Sequence, residues 1–294
     1  MSGAAPRTWQ LLPLLEETSR FFAARNLENP RLQAELLLAD VLALRRLDLY
    51  LRFDQLLSPA QVDAYREHVR QRLRGVPLQY ITGKAGFRNL NLSVDPAVLI
   101  PRPETEILVE VALEYLQGVE APQVLDVGCG SGAIALALAQ ECPAARVKAT
   151  DLSSAALARA RANARELELA DRVGFCCGDL LDPFRPAGQF HLIASNPPYV
   201  RRGDLEGLEA QVRDHEPHLA LDGGEDGLDF YRRLAGLAGP FLAPEGLLVL
   251  EVGAGQADEV AALLEQSGCF APASIRPDLA GIPRVVSAAR RAEA

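Results

Sequence analysis

Short apolar runs alternate with helix-length segments over residues 104–294, and this alternation constrains the fold more than any other feature. Strands are predicted at 124–127, 147–150, 173–177, 190–195 and 247–252. Helices are predicted at 104–117, 133–140, 153–167, 227–238 and 257–266. Strands separated by helices of this length form right-handed βαβ units around a parallel sheet. Ile275 and the segment 284–286 are predicted to close the sheet as an antiparallel pair.

Residues 1–75 have a different pattern, in which leucine and phenylalanine recur at helical intervals. Ser58, Pro59 and Gln61 form a helix start with a capping box, and Gly75 is a plausible helix stop. Three to five short helices are predicted, packed as a small bundle. This bundle has either a purely structural role, in packing and solubility, or a role in substrate recognition, and we favour substrate recognition.

Residues 76–103 are predicted to be a β-hairpin linker, because alternating apolar residues are punctuated by Gly83, Gly86 and Pro96. Arg102 follows it. It is either a surface arginine or a side chain that reaches a ligand site, and spacing alone does not decide. We therefore predict three parts: a helical domain at 1–75, the linker at 76–103, and a catalytic α/β domain at 104–294.

Charge and composition narrow the function classes. Residues 1–94 carry 13 Lys and Arg against 9 Asp and Glu, so the net charge of −9 leaves −13 for the remainder. An acidic catalytic part argues against a general nucleic-acid binder. No window is apolar enough for a membrane span and no signal-peptide core precedes the helices, so we predict a soluble, cytoplasmic protein. The five cysteines and four histidines lack metal-ligand spacing.

Ligands of parallel α/β sheets bind at the carboxyl ends of the strands. Four distinctive groups fall at such ends: Gly128-Cys-Gly130-Ser-Gly132, Asp151, Asp179, and Asn196-Pro-Pro-Tyr199. Asp151 lies 21 residues beyond Gly130, the separation expected of a carboxylate that binds ribose hydroxyls, although it could instead cap the next helix. Asp179 could accept from an adenine amino group or cap a turn. A ligand with ribose and adenine but no pyrophosphate fits S-adenosylmethionine better than NAD, because the glycine spacing is not that of a dinucleotide site.

The segment Asn196-Pro-Pro-Tyr199 ends a buried strand abruptly. Its two prolines remove backbone donors, and the first holds Asn196 in an extended conformation. It therefore presents an amide side chain, rigid carbonyls and a phenol ring. Alone, it fits a turn or an active site.

Together these motifs resemble a known family. The segment Asp126–Gly132 with Asp151 and Asn196-Pro-Pro-Tyr199 is similar to class I methyltransferases. More discriminating are Pro77-Leu-Gln-Tyr-Ile-Thr-Gly, Leu99-Ile-Pro-Arg-Pro-Glu-Thr-Glu, Glu216-Pro-His-Leu-Ala-Leu-Asp-Gly-Gly-Glu-Asp-Gly-Leu and Leu279-Ala-Gly-Ile-Pro-Arg. These resemble the release-factor glutamine N5-methyltransferases over nearly the whole chain.

The resemblance implies a Rossmann-like sheet and methyl transfer from S-adenosylmethionine, with S-adenosylhomocysteine as product. The acceptor it implies is the side-chain amide of the glutamine in the Gly-Gly-Gln loop of peptide chain release factors. Asn196, Pro197 and Tyr199 are the implied catalytic residues, and Pro198 joins them in binding substrate. The implied cofactor-binding residues are Arg102, Gly128, Cys129, Gly130, Ser131, Gly132, Asp151, Asp179, Leu180 and Asn196.

The remaining expectations concern partners and alternatives. Release factors are the expected partners of a monomer that binds neither nucleic acid nor membrane and needs no metal. The long connection at 200–226 is either a lid for the partner's loop or an ordinary solvated loop. Glu251 ends a buried strand and could be structural. The alternative functions are a nucleic-acid adenine N6-methyltransferase, which would use the same slot on a flipped base, and a non-catalytic module that binds S-adenosylmethionine.

Overall fold

A computed structural model describes residues 9–292. Residues 1–8 and 293–294, which fall in the predicted domains 1–75 and 104–294, lie outside the described residues. The chain divides into two compact units, one ending at Gly83 and the other beginning at Lys84. Within residues 9–292, no helix combines the length and the apolar character needed to cross a membrane.

The first unit is a helical bundle, as predicted from the leucine periodicity. Leucines from its first two long helices pack with Phe22 and Tyr65 in one apolar core. A two-residue antiparallel strand pair joins the helices at one edge. The elements are β1 (Trp9–Gln10), α1 (Leu11–Ala23), α2 (Pro30–Leu42), α3 (Arg46–Leu51), β2 (Leu56–Leu57), α4 (Pro59–Leu73) and α5 (Leu78–Thr82).

Helix α4 begins with the predicted capping box. The Gln61 amide N–H donates to Ser58 Oγ at 3.2 Å, and the Ser58 N–H donates to Gln61 Oε1 at 2.9 Å. Helix α5 was not predicted, and residues 76–83 belong to the helical unit rather than to a linker. The reason is packing: Leu78 and Ile81 contact the apolar core of the bundle.

The second unit begins with a short antiparallel hairpin, followed by the predicted α/β domain. The strands are β3 (Lys84–Phe87), β4 (Leu90–Ser93), β5 (Gln123–Val127), β6 (Arg146–Asp151), β7 (Val173–Cys177), β8 (Phe190–Ser195), β9 (Leu242–Glu251), β10 (Ser274–Pro277) and β11 (Pro283–Ala289). The helices are α6 (Thr105–Leu116), α7 (Ala133–Glu141), α8 (Ser154–Glu166), α9 (Ala210–Arg213), α10 (Asp229–Leu237) and α11 (Ala257–Gln266).

The main sheet has seven strands in the order β10-β11-β9-β8-β5-β6-β7. Strands β5 to β9 are mutually parallel, and β11 and β10 form the predicted antiparallel closure. The chain moves outward from β5 through β6 to β7, and then returns to place β8 on the other side of β5. The carboxyl ends of β5 and β8 therefore flank a topological switch point, where ligands bind in sheets of this kind.

Two apolar cores cover the two faces of the sheet. Helices α6 and α7 bury Leu108, Val109 and Leu136 on one face. Helices α10 and α11 bury Tyr231 and Leu264 on the other. The predicted long connection at 200–226 contains short helical turns, at Arg202–Gly207 and His218–Ala220 as well as α9. It is therefore ordered by its own local hydrogen bonds rather than lacking secondary structure.

Candidate active site

A cavity of about 310 Å³ opens at the carboxyl ends of β5, β6, β7 and β8. Eight of the residues predicted to bind cofactor or substrate line it: Gly128, Gly130, Asp151, Asp179, Leu180, Asn196, Pro197 and Pro198. Five others do not: Arg102, Cys129, Ser131, Gly132 and Tyr199. Most of the residues that were predicted from the carboxyl ends of the strands therefore lie together in the structure.

The glycine loop follows β5 and is held against β6. The N–H groups of Gly128 and Cys129 both donate to the Thr150 carbonyl, at 2.9 and 2.8 Å. Gly130 has φ +54°, and a methyl group built on it would meet no described atom within 4 Å beyond its chain neighbours. The loop therefore brings bare backbone to the edge of the cavity, which is what a closely bound ligand requires.

The other three loop residues stabilise the loop instead of lining the cavity. Cys129 and Ser131 are buried, and the Ser131 carbonyl accepts from Asn163 Nδ2 at 2.9 Å. Burial raises the pKa of the Cys129 thiol well above its ordinary value, so the thiol stays protonated. Gly132 has φ +86° at the start of α7, where an added Cβ would lie 3.1 Å from Leu136 Cδ1.

Asp151 ends β6 with its carboxylate facing the cavity wall. Its Oδ2 accepts from the Gly130 N–H at 2.8 Å and its Oδ1 accepts from the Ser153 N–H at 2.8 Å. Burial raises the pKa of Asp151, and these two backbone N–H groups oppose the rise. The helix cap itself is Ser153, whose Oγ accepts from the Ala156 N–H. Each carboxylate oxygen retains a lone pair, so Asp151 can still accept hydroxyl donors.

Asp179 and Leu180 follow β7. The Asp179 carboxylate is paired with Arg233 at 2.6 Å, and its side chain is 39% exposed. Leu180 has φ +47°, and its carbonyl accepts from the Thr150 hydroxyl at 3.0 Å. With Leu152 and Phe230, which sequence reasoning did not select, Leu180 gives this end of the cavity an apolar wall.

The segment Asn196-Pro-Pro-Tyr199 closes the opposite end. Asn196 Nδ2 donates to Thr105 Oγ1 at 3.1 Å, which fixes the side-chain amide. The Tyr199 carbonyl accepts from Gln256 Nε2 at 3.1 Å, and its ring packs against the core around α10 and α11. Burial raises the pKa of Tyr199 to about 12, so its hydroxyl stays protonated and cannot act as a general base at neutral pH.

Arg102 is bound to a residue of the 200–226 connection. Its Nη2 lies 2.5 Å from Glu216 Oε1, and Glu216 Oε2 accepts from the Ile100 N–H at 3.2 Å. The Glu216 side chain is 2% exposed. This pair ties residues 100–102 to the connection. A direct contact of Arg102 with the cofactor stays a prediction.

Two buried polar residues lie behind Asn196, and the sequence patterns did not predict that they meet it. Thr105, in the Pro-Glu-Thr-Glu segment, is 4% exposed, and Glu251, at the end of β9, is 2% exposed. Burial raises the pKa of Glu251 to about 7, while the neighbouring side chains of Thr105 and Asn196 limit the rise. Both residues were visible in the sequence, but nothing in their spacing indicated that they meet.

Comparison with known proteins identifies the family. Residues 13–83 match the model described as the PrmC N-terminal domain, and residues 104–224 match the methyltransferase small domain. A release factor glutamine methyltransferase of Moorella thermoacetica is 47% identical over 279 residues, which cover 95% of this chain and 98% of the relative. One of Geobacter sulfurreducens is 43% identical over 281 residues, which cover 96% and 97%. The chain belongs to the release factor glutamine methyltransferase family.

One solved structure of low sequence identity supports the fold but carries no information on function. The methyltransferase from Pyrococcus furiosus superposes with a TM-score of 0.51 at 15% identity, covering 77% of this chain and 99% of that one. The predicted fold class, a mostly parallel methyltransferase sheet with an antiparallel final pair and an N-terminal helical bundle, is confirmed. The predicted family and the predicted use of S-adenosylmethionine are confirmed as well.

The residues around the cavity fit S-adenosylmethionine. Asp151 offers a half-buried carboxylate for ribose hydroxyls, and Leu152, Leu180 and Phe230 offer an apolar wall for adenine. The open space beside Gly130 lets a ligand approach the backbone closely. When bound, this group supplies an electrophilic methyl on a sulfonium. Within residues 9–292, no cluster of three or more His, Cys, Asp and Glu could hold a metal ion.

Proposed function

We propose that this chain transfers a methyl group from S-adenosylmethionine to the side-chain amide nitrogen (N5) of the glutamine in the Gly-Gly-Gln motif of peptide chain release factors. Family membership supports the substrate. The supporting observation in the site is the state of the Asn196 amide. Its nitrogen donates one hydrogen to Thr105, which favours the orientation in which the carbonyl oxygen faces a ligand in the cavity.

Asn196 and Pro197 are the acceptors in this proposal. Asn196 Oδ1 and the Pro197 carbonyl would accept the two N–H bonds of the glutamine amide. An amide nitrogen is a poor nucleophile because its lone pair is delocalised, so it must be held in one orientation. Such positioning can lower a barrier by roughly 7–11 kcal/mol. The same two oxygens would stabilise positive charge that develops on the nitrogen.

Tyr199 contributes its ring rather than its proton. A hydroxyl with a pKa of about 12 is neutral at physiological pH. We propose that Pro198, which lines the cavity, forms the wall against which the planar amide lies, and that the Tyr199 ring supports this wall from the core around α10 and α11. Gly128, Gly130, Asp151, Asp179 and Leu180 would hold the cofactor on the other side. No side chain in the proposal forms a covalent bond to the substrate.

The oligomeric state, the cellular location and the absence of nucleic-acid binding are also proposals. We propose that the chain acts as a monomer in the cytoplasm, where its release factor substrates work, and that it does not bind nucleic acid. The net charge of −13 on residues 95–294 supports the last point, because phosphate backbones require a positive surface. Light scattering with and without a release factor measures the oligomeric state.

Labelled-methyl transfer tests the function. The purified chain is incubated with S-adenosylmethionine carrying a labelled methyl and a release factor, beside a release factor whose Gly-Gly-Gln glutamine is alanine. DNA and RNA are parallel substrates. We expect label on the first protein only. Label on nucleic acid with none on the factor would establish an adenine methyltransferase, since the same pair of acceptors suits an exocyclic amine.

A further inference from the structure

A buried polar cluster lies behind Asn196, on the side away from the cavity. It consists of Thr105, the first residue of α6, and Glu251, the last residue of β9. In the parallel pairing of β8 with β9, Ser195 is in register with Leu250. Asn196, which directly follows β8, and Glu251, which ends β9, therefore lie side by side.

Side-chain alternation places this cluster under α6. Ala194 and Val249 belong to the core on the α6 side of the sheet, and side chains two residues apart point to the same face. Asn196 and Glu251 thus share that face. Thr105 meets them there from the helix, and Asn196 Nδ2 donates to Thr105 Oγ1 at 3.1 Å.

The donors and acceptors of the cluster allow one consistent arrangement. Thr105 Oγ1 accepts from Asn196, so the Thr105 hydroxyl hydrogen is left to donate to the neighbouring Glu251 carboxylate. The Asn196 amide lies near enough to lower the pKa of that carboxylate as well. Oε2 of Glu251 has no hydrogen-bond partner in the described part of the chain, so the carboxylate has spare acceptor capacity. The Asn196 amide nitrogen therefore faces the cluster rather than the cavity.

We propose that Thr105 and Glu251 are positioning residues for Asn196, which hold its amide so that the carbonyl oxygen faces the methyl-accepting nitrogen. This inference rests on the proposed function. A reversed amide would set the Asn196 NH₂ group against the substrate NH₂ group and leave donors unpaired. It would also turn the Asn196 carbonyl oxygen, which carries a partial negative charge, towards the negative Glu251 carboxylate, and the two would repel each other. The substrate amide and the cluster thus both disfavour the reversed orientation of the Asn196 amide.

Matched variants separate this role from packing. Thr105→Val removes the hydroxyl at constant shape, whereas Thr105→Ser keeps it. Glu251→Leu removes the acceptor, whereas Glu251→Gln keeps one oxygen and places its amide nitrogen where Oε2 now lacks a partner. We expect Thr105→Val and Glu251→Leu to lower kcat ~10- to 100-fold, as loss of one or two charge-assisted hydrogen bonds would. Thr105→Ser and Glu251→Gln should stay within about tenfold of the wild type.

Binding separates positioning from disruption of the cofactor site. The Kd of S-adenosylmethionine, measured by calorimetry, should be unchanged in all four variants, because neither Thr105 nor Glu251 lines the cavity. The KM for release factor should also change less than kcat. If Thr105→Val and Thr105→Ser lose activity equally, or if Thr105→Val keeps the wild-type kcat, the inference is wrong. If the wild type itself leaves the factor unlabelled, the proposed function fails instead.

A spectroscopic readout needs neither substrate nor turnover. In protein labelled with ¹⁵N at asparagine, the Asn196 side-chain resonances identify themselves by their loss in Asn196→Ala. We expect both Nδ2 hydrogens to exchange slowly with solvent in the wild type and in Thr105→Ser. Exchange should be faster in Thr105→Val. Equal exchange in the serine and valine variants would mean that Thr105 does not hold the amide.

A pH profile supplies the last readout. The charged or titratable groups facing Glu251 are Glu104, Arg284, Tyr199 and Tyr231. An ionised Glu251 accepts from Thr105, whereas a protonated one can donate to Thr105 Oγ1 and compete with Asn196. We expect kcat of the wild type to rise as pH passes about 7, and the rise to be smaller in Glu251→Gln. Identical profiles would overturn the role of the Glu251 charge.

Discussion

Asn196 is the residue on which the proposed chemistry depends most directly. Its carbonyl oxygen is one of two acceptors offered to the glutamine amide, and it takes no part in holding the glycine loop. We expect Asn196→Ala to lower kcat roughly 100- to 1000-fold, the loss typical of removing one preorganised hydrogen-bonding group from an active site. Single-turnover methyl transfer measures the loss, and calorimetry should show cofactor binding within a few-fold of the wild type.

Tyr199→Phe is the matched control. It keeps the ring and removes a hydroxyl that burial already holds neutral. Transfer should stay within about threefold of the wild type, since an uncharged hydroxyl with no role in proton transfer contributes little to the barrier. Full transfer by Asn196→Ala, or a large loss in Tyr199→Phe, would contradict the assignment of roles.

Asp126 is a second residue whose environment has a measurable consequence. It is fully buried in β5, its Oδ2 accepts from the Ala135 N–H at 3.0 Å, and its Oδ1 has no partner in the described part of the chain. Burial raises its pKa to about 7. The folded state therefore binds a proton that the unfolded chain releases near pH 4. The free energy of unfolding must fall as pH rises from about 4 to about 7.

Asp126→Asn should flatten this dependence. A shift of about three pKa units corresponds to about 4 kcal/mol of lost stability across the window, as an order of magnitude. Urea unfolding without cofactor at pH 5 and pH 8 spans about two of these three units, so the wild type should lose roughly 3 kcal/mol between them. Glu114→Gln is the control, because the Arg276 guanidinium lowers the pKa of that exposed carboxyl, a shift in the opposite direction. An unchanged difference between the two pH values in Asp126→Asn would rule out this origin.

At the scale of elements, two glycines of one loop do different work. Gly130 borders the cavity, and a methyl group there would meet open space. Gly132 starts α7, and a methyl group there would lie 3.1 Å from Leu136 Cδ1 and 3.3 Å from Ala160 Cβ. Both have positive φ, so alanine strains either by about 1–2 kcal/mol. Only Gly132→Ala adds overpacking, of roughly 1–3 kcal/mol.

Alanine at the two positions should therefore separate binding from stability. Gly130→Ala should weaken S-adenosylmethionine binding at least about tenfold, the equivalent of ~1.4 kcal/mol, while it lowers stability only by its backbone strain. Gly132→Ala should lose more stability and less affinity. Calorimetric titration and urea unfolding measure the two quantities. The reverse ranking would mean that Gly130 does not border the bound ligand.

The helices and strands also show how much of the fold can be predicted from the sequence. Every strand of the main sheet and each of its long helices was predicted from apolar periodicity, although the short helix α9 was not. Most of the positions predicted from the strand ends, among them Gly130, Asp151 and Asn196, line one cavity. Helix α5 was missed, because five residues between Pro77 and Gly83 are too few for a periodic signal. Thr105 and Glu251 were missed as partners of Asn196. Their meeting depends on strand register and on how α6 packs, which are long-range properties that local patterns do not contain.

At the scale of the whole molecule, the helical unit carries an exposed apolar segment at residues 47–56. Leu47, Leu51, Phe53 and Leu56 have exposed fractions of 73%, 75%, 54% and 62%. Exposed apolar groups that cluster in this way mark interaction sites more often than chance. They fit the predicted role of the bundle in recognising the body of the release factor, while the cavity receives only the Gly-Gly-Gln loop.

Replacing two of these leucines tests that division of labour. The double variant Leu47→Glu, Leu51→Glu changes exposed side chains, so its effect on stability should stay within about 1 kcal/mol. We expect kcat/KM for the intact release factor to fall about tenfold or more, the size of a modest interface hot spot, because the apolar contact is lost. A short Gly-Gly-Gln peptide should be methylated as by the wild type, because the catalytic groups are untouched.

Leu279→Glu, which changes a fully exposed leucine of the other unit, is the control. An equal loss on peptide and intact factor would locate the defect in the catalytic domain, and no loss on either would remove segment 47–56 from the recognition surface.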